Sequence, residues 1–387
     1  MWYNLLVISF WRWLRTDCLR RTWIEVDLNA IKNNLNLIKD ITGKEVFAVV
    51  KADAYGHGAE RVAAALEESV SHFAVSNIDE AEKLRLAGVT APILILGYTP
   101  KDSVSKLATL NISQCVFSKE YAVSLNEYAK QENVNVDVHI KLDTGMGRIG
   151  FDCRNDELRG IEEAKDVLKL ENLNSVGVFA HFAVADGVSK KDKQFTDGQY
   201  KRFVNAVKTL ESEGHNFKYC HCGNSAGALS LVLEKTNAVR AGIILYGLTP
   251  DTAFPLPKDF KPAMSMYSVV SMVKTIEKGE TVSYGRTFKA KSKRKIATVS
   301  AGYADGVPRL LSNKGYMLVH GQKAPIVGRV CMVQLCLDVT DIESVCEGDL
   351  VTIFGKGLPV EEIAKTVKTI NYEIVCGINK RLPIVYI

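Results

Sequence analysis

A lysine ends an apolar run in the stretch Val49-Val50-Lys51-Ala52-Asp53-Ala54-Tyr55-Gly56-His57-Gly58. A solvated lysine at a strand end is the ordinary reading of such a pattern, but an amine held at the mouth of a fold can also attack a carbonyl or carry a proton. Other groups capable of chemistry recur along the chain in similar places. Lys141 and Arg148 bracket Lys141-Leu142-Asp143-Thr144-Gly145-Met146-Gly147-Arg148, His181 closes an apolar run, Asn224 and Ser225 follow another, and Arg240 precedes Gly242 and Ile243. Cys220-His221-Cys222 and the pair Cys331 and Cys336 could suggest a metal. Their spacing does not match the four-ligand sites that zinc favours, so buried thiols are expected and no metal.

The elements that must position these groups are legible from hydrophobic texture. Short β-branched runs at Val46–Val50, His72–Ser76, Pro92–Leu96, Ile112–Phe117, Val136–Leu142, Val176–His181, Phe217–Cys222 and Ala238–Arg240 alternate with amphipathic segments such as Ala59–Glu68 and Glu80–Ala87, the latter stopped at Gly88. Apolar strands alternating with helices indicate parallel βαβ units buried on both faces. Eight such units predict a (β/α)8 barrel, with a doubly wound sheet as runner-up. That runner-up needs a GxGxxG turn, which Gly56-His57-Gly58 does not complete.

After the proline-marked stretch Phe254–Pro262 the texture turns β-rich. Strand-like runs are expected at Ser268–Ile276, Thr281–Phe288, Lys295–Ser300, Tyr316–His320, Ala324–Val330, Leu350–Phe354 and Pro383–Ile387, with one helix at Val360–Lys368. The expected division is an N-terminal arm or membrane stub at 1–22, a barrel at 23–255 and a β-rich domain at 256–387, with Trp23–Leu28 assignable to either domain.

Catalytic groups in such barrels sit at the C-terminal ends of the strands. The loops after strands seven and eight commonly hold a phosphate, and Ser225, Gly242 and Ile243 occupy that place. A lysine after strand one opposite a phosphate cradle suits a phosphorylated carbonyl cofactor held as a Schiff base, and pyridoxal phosphate meets both requirements. A phosphate-bearing metabolite would meet the second alone.

The chain also resembles a known family. VVKADAYGHG, KLDTGMGRIG, AHFAVAD, GNSAG, VRAGIILYG, VSYGRTF, GYADG, QKAPIVGRVCM and NYEI are similar to motifs of the alanine racemases, in that family's order, from about Trp23 to the end. The resemblance implies a pyridoxal phosphate barrel followed by a β domain, working as a homodimer with shared active sites. It implies that Lys51 carries the cofactor and acts as one acid/base group, while Tyr284 of VSYGRTF acts as the other from the partner subunit. It further assigns Tyr55, Ser225, Gly242, Ile243 and Tyr372, with Asn224 beside them, to the phosphate end, and Arg148 to the phenolic oxygen. Arg240 would meet the pyridine nitrogen, His181 would link Tyr284 to Arg240, and Arg148, Tyr303 and Met332 would help hold the substrate. Lys141 matches a lysine that many members carbamylate. Racemisation needs two groups on opposite faces of the α-carbon, and a phenol with an ordinary pKa near 10 needs a neighbouring cation to serve at neutral pH.

The expected activity is therefore interconversion of L- and D-alanine, of L- and D-serine, or of both, supplying D-amino acids to peptidoglycan precursors. A barrel-type decarboxylase of amino acids and a non-catalytic cofactor carrier are the alternatives. Arginine at 240 and the β domain bearing Tyr284 and Met332 argue against them. Departures from the family include Val333 where an acidic residue is usual, Ala241 in place of a proline, and Cys222-Gly223 before Asn224.

Composition limits the remaining possibilities. At 387 residues, with 47% hydrophobic and 24% charged residues, the chain can bury large cores. A net charge of +5 suits small anions and gives no argument for nucleic acid. Nine cysteines without a CxxC pair suggest reduced thiols and a cytoplasmic catalytic domain. All four tryptophans, Trp2, Trp11, Trp13 and Trp23, lie among Arg12, Arg15, Arg20 and Arg21, a mixture favoured at membrane interfaces. This start resembles the junction of membrane-bound serine/alanine racemases of vancomycin-resistance clusters, which implies possible tethering to the cell membrane through an N-terminal segment.

Overall fold

The structure, a computed structural model, describes residues 21–155, 157–251 and 253–387. The membrane-stub expectation at 1–22 falls outside this set except for Arg21 and Thr22, and Thr22 begins a strand. Among the described residues no helix is long and apolar enough to cross a membrane.

Contacts divide the chain into two units. One is Ala30–Lys261; the other joins the described residues up to Asn29 to Pro262–Ile387. This differs from the expected division at 23–255 and 256–387, and the reason is a strand. Thr22–Val26 pairs antiparallel with Met264–Ile276 and parallel with Ile384–Tyr386, so the β-rich unit owns it. Trp23, grouped in the sequence with interface tryptophans, is only 7% exposed and packs its ring on Tyr267.

The first unit is the expected barrel. Its strands are Glu45–Val49, His72–Val75, Ile93–Ile95, Ile112–Val116, Val136–Asp143, Leu173–Phe179, Tyr219–His221 and Ala238–Ala241. Each pairs in parallel with the next, and Ala238–Ala241 pairs back onto Glu45–Val49 to close the ring. Unbroken burial along the second, third, fourth and eighth strands is the consequence of core on one face and helices on the other. The helix expected at Glu80–Ala87 spans Ile78–Leu86 and ends before Gly88, which is left-handed at φ 90° and donates its N–H to the Arg85 carbonyl.

The second unit is built on one sheet in the order Gln322–Pro325, Tyr316–Val319, Leu350–Phe354, Met264–Ile276, Thr22–Val26, Ile384–Tyr386, with Arg294–Val299 also paired to the long strand and Leu335–Asp338 paired to Arg294–Val299. Several expectations need correction here. Thr281–Phe288 is not one strand: Thr281–Val282 and Phe288–Lys289 pair across a tight turn holding Tyr284. The strand placed at Ala324–Val330 lies at Gln322–Pro325, because Gly328 is left-handed at φ 76° and the chain must leave the sheet before it. Asn371–Cys376, which carries Tyr372, is a second short helix that no apolar periodicity announced.

Candidate active site

Lys51 does not end the first strand, which stops at Val49; it opens a turn of unusual hand. Ala52, Asp53, Ala54 and Tyr55 have φ of 51°, 57°, 55° and 54°. Left-handed backbone costs about 1–2 kcal/mol for each residue with a Cβ, so this turn persists only under external support. Glu80 accepts the Ala52 N–H at 2.8 Å, and Asp53 accepts the Ala59 N–H at 2.8 Å to start the following helix. The turn brings the Tyr55 hydroxyl against Gly242, where a Cβ would stand 2.7 Å from it. Gly242 in turn donates its N–H to Ser225 Oγ at 3.1 Å. Asn224 caps the helix Ser225–Ser230 by accepting from the Gly227 N–H. Tyr55, Ser225 and Gly242, drawn from the first, seventh and eighth strand ends, thus form a cradle whose floor is a glycine because nothing larger fits.

Arg240 lies one step deeper and is only 3% exposed. Its guanidinium donates to His221 Nδ1 at 2.7 Å, to His181 Nδ1 at 3.2 Å and to the carbonyls of Ala180, His221 and Cys222. Arginine only donates, so each of those Nδ1 atoms accepts and each neutral ring keeps its proton on Nε2. The His221 Nε2–H then donates to His139 Nδ1 at 3.0 Å. Burial, reinforced first by the Arg240 charge, holds both His181 and His221 well below the ordinary imidazole value, and burial brings His139 down to about 3. Burial lowers Arg240 itself only to about 10, so it keeps its charge at neutral pH.

His139 needs a glycine opposite. A Cβ on Gly177, its cross-strand neighbour, would stand 2.2 Å from His139 Nδ1. His181 is fixed from outside the barrel by Gln199, which donates to the His181 carbonyl at 3.1 Å and accepts from Ala183 N–H at 2.9 Å. The charges of Arg240, Lys141, Arg148 and Lys51 all bear on His181, in that order. Four cations therefore converge on one rim, which suits a multiply charged anion. Lys141 lies over the Phe179 ring at 5.4 Å, and burial, with Arg148 and Arg240 acting the same way, lowers its amine to about 8.

The remaining expected residues lie in the second unit. Tyr284 stands in a turn whose neighbour Ser283 donates to the Arg329 carbonyl at 2.7 Å. Tyr303 N–H donates to Cys331 O at 3.0 Å and Ala304 N–H to Met332 O at 2.9 Å. Tyr284, Tyr303, Met332 and Val333 are 72%, 44%, 57% and 40% exposed, so the second unit presents them outward together.

Sequence reasoning missed the inward role of His221. Cys220-His221-Cys222 alternates across a strand, which turns His221 into the barrel core towards Arg240. Burial pushes the Cys115 and Cys220 thiols up to about 12, marking them as inert thiols. Among the described residues no group of three His, Cys, Asp or Glu could hold a metal ion.

Comparison with known proteins agrees along nearly the whole chain. The family models "Alanine racemase, N-terminal domain" and "Alanine racemase, C-terminal domain" match residues 26–250 and 263–386. Alanine racemase 2 of Caldanaerobacter subterraneus is 42% identical over 96% of this chain and 96% of its own, and the alanine racemase of Clostridium perfringens is 43% identical over 95% and 96%. Among solved structures, alanine racemase from Clostridium difficile has a TM-score of 0.86 at 38% identity, covering 95% of this chain and 96% of that one. The Bacillus anthracis enzyme with bound L-Ala-P has a TM-score of 0.85 at 37% identity, with 95% of each chain covered.

Proposed function

Because the chain belongs to the alanine racemase family, we propose that it interconverts L- and D-alanine with pyridoxal phosphate, using Lys51 and Tyr284 as its two acid/base groups. The observation that carries this reading is the Tyr55–Ser225–Gly242 cradle beside Lys51, a place that a Cβ would fill and a phosphate oxygen suits. When bound, the cofactor would draw electrons from the α-carbon of an attached amino acid and acidify its α-hydrogen. Tyr55, Ser225, Gly242 and Ile243, with Asn224 beside them, would hold the phosphate. Arg148 would face the phenolic oxygen and Arg240 the pyridine nitrogen.

The division of labour follows from the residues. The Lys51 amine takes or returns the α-proton on one face. Tyr284 of the partner subunit does so on the other, its exposed phenol suiting insertion into a second copy. His181, with its proton on Nε2 and Arg240 behind Nδ1, would donate a hydrogen bond to that phenol oxygen and orient it. Arg240 is held by two histidines and three carbonyls, a setting that keeps a cation beside the ring nitrogen where a decarboxylase uses a carboxylate. A carrier would not need Tyr284. Tyr303 and the Met332 backbone would border the substrate.

L-serine is the second substrate within this reading, because the start of the chain resembles that of serine/alanine racemases and because Val333, 40% exposed beside Met332, stands where the family usually has an acidic residue. Attachment to a membrane rests on the tryptophan- and arginine-rich start and is tested separately by fractionation of the native protein. The deciding experiment measures kcat/KM for L-alanine and L-serine by chiral analysis, with Tyr284→Phe and Lys51→Ala beside wild type. The reading expects yellow protein, colour lost in Lys51→Ala, and racemisation lost in Tyr284→Phe with colour kept. A wild type that stays colourless with added cofactor, or an active Tyr284→Phe, overturns it.

A further inference from the structure

His57 follows the left-handed turn that carries Lys51 and Tyr55, and its ring is fully buried. Nδ1 lies 2.9 Å from the Ala54 carbonyl oxygen and 3.1 Å from that of Tyr55. Both oxygens only accept, so Nδ1 carries the ring proton and donates to both. Nε2 is buried with no hydrogen-bond partner among the described residues, as suits a neutral ring that burial lowers to about 4. The ring stacks on Tyr246, with centroids 4.3 Å apart. The Tyr246 hydroxyl donates to the carbonyl of Val49, the last residue of the first barrel strand, at 2.9 Å. The Tyr55 ring leans on the same Tyr246 at 5.2 Å. A single imidazole therefore joins the carbonyl side of the strained turn to the end of the strand from which Lys51 departs.

We propose that His57 is a positioning residue: by donating from Nδ1 to Ala54 and Tyr55 it holds the left-handed turn that aims the Tyr55 hydroxyl at Gly242 and Ser225, and so sets the site's affinity for the phosphate of its cofactor. This rests on the phosphate role proposed for Tyr55. A purely space-filling histidine would serve through its stacked ring; a positioning one serves through its N–H, and two amides separate these roles. His57→Asn keeps an N–H where Nδ1 stands, whereas His57→Gln carries its amide where Nε2 stands, away from both carbonyls. Neither keeps the stacked ring.

The experiment titrates the full chain, freed of cofactor by dialysis against hydroxylamine, with pyridoxal phosphate and with pyridoxal, which lacks the phosphate. His57→Gln is expected to bind pyridoxal phosphate about tenfold more weakly than wild type, the scale of one lost hydrogen bond. His57→Asn should stay within about threefold, and pyridoxal should bind all three alike. Equal losses in the two variants, an unweakened His57→Gln, or the same loss with pyridoxal would overturn the proposal. If His57→Gln does not fold, His57→Asn decides: its ratio of pyridoxal phosphate to pyridoxal affinity must match wild type, and a tenfold fall overturns the proposal. A wild type that binds neither compound overturns the cofactor reading, and the role of His57 falls with it.

Discussion

Gly242→Ala tests the cradle where its geometry is tightest. The added Cβ would stand 2.7 Å from the Tyr55 hydroxyl, 3.5 Å from its ring carbon and 3.4 Å from Ser225 Oγ. The first distance is inside any tolerable carbon–oxygen contact and the other two are ordinary, so the hydroxyl alone must move. Tyr55 is buried at 7% exposure and leans on Tyr246, leaving its ring little freedom to swing. A hydroxyl displaced from a phosphate forfeits a charge-assisted hydrogen bond of about 1.5–3 kcal/mol, or roughly a ten- to hundred-fold loss of cofactor affinity. Absorbance titration of the cofactor-free chain measures this directly. The double variant Gly242→Ala/Tyr55→Phe supplies the control. Removing the hydroxyl removes the collision, so adding the alanine to Tyr55→Phe should cost less than about twofold. Undiminished affinity in Gly242→Ala, or losses that add in the double variant, would refute the cradle.

Other expectations follow from the same structure. Gly177→Ala leaves no room for His139, whose Nδ1 would be 2.2 Å from the new Cβ; overpacking and the lost His221 bond should together cost about 2–4 kcal/mol in chemical denaturation, and Gly177→Ala/His139→Ala should recover part of it. The buried Asp305 accepts from Arg21, Arg381 and the Gly302 N–H, and these bonds hold its carboxyl below the ordinary value against burial, which alone would raise it. A depressed folded pKa gives stability that is present above the unfolded value near 4 and is lost as pH falls through the folded value. Asp305→Ala should therefore cost about 2–4 kcal/mol at pH 7 and progressively less as pH falls below the unfolded value, read from denaturant midpoints; a cost that does not fall with pH would exclude the ion pairs as its source. With its amine lowered to about 8, Lys141 offers more of the neutral form that adds carbon dioxide. A carbon-13 carbamate resonance with labelled bicarbonate, absent in Lys141→Arg, would show the adduct, and identical spectra would remove it.

The barrel was legible because most of its strands, such as His72–Val75, Ile93–Ile95 and Ile112–Val116, are buried on both faces and so read as short apolar runs. The second unit was harder for a physical reason. Its strands pair far along the chain, as Thr22–Val26 does with Met264–Ile276, and no local pattern marks a pairing at that separation. The turn around Tyr284 shows the same limit on a small scale, since an alternating stretch cannot reveal that left-handed Ser283, Gly285 and Arg286 break it. Within the site, strand ends announced Lys51, Ser225 and Arg240, because barrel topology alone puts such ends on one rim. The groups behind them were silent. Gly177 reads as a weak point in a strand until His139 is seen to occupy the volume its side chain would need. His57 reads as a loop residue until four left-handed residues are found to depend on neighbouring support. Residues that meet a ligand obey rules of position along one element, whereas residues that hold those residues obey rules of space between elements, and only a folded chain expresses the second kind.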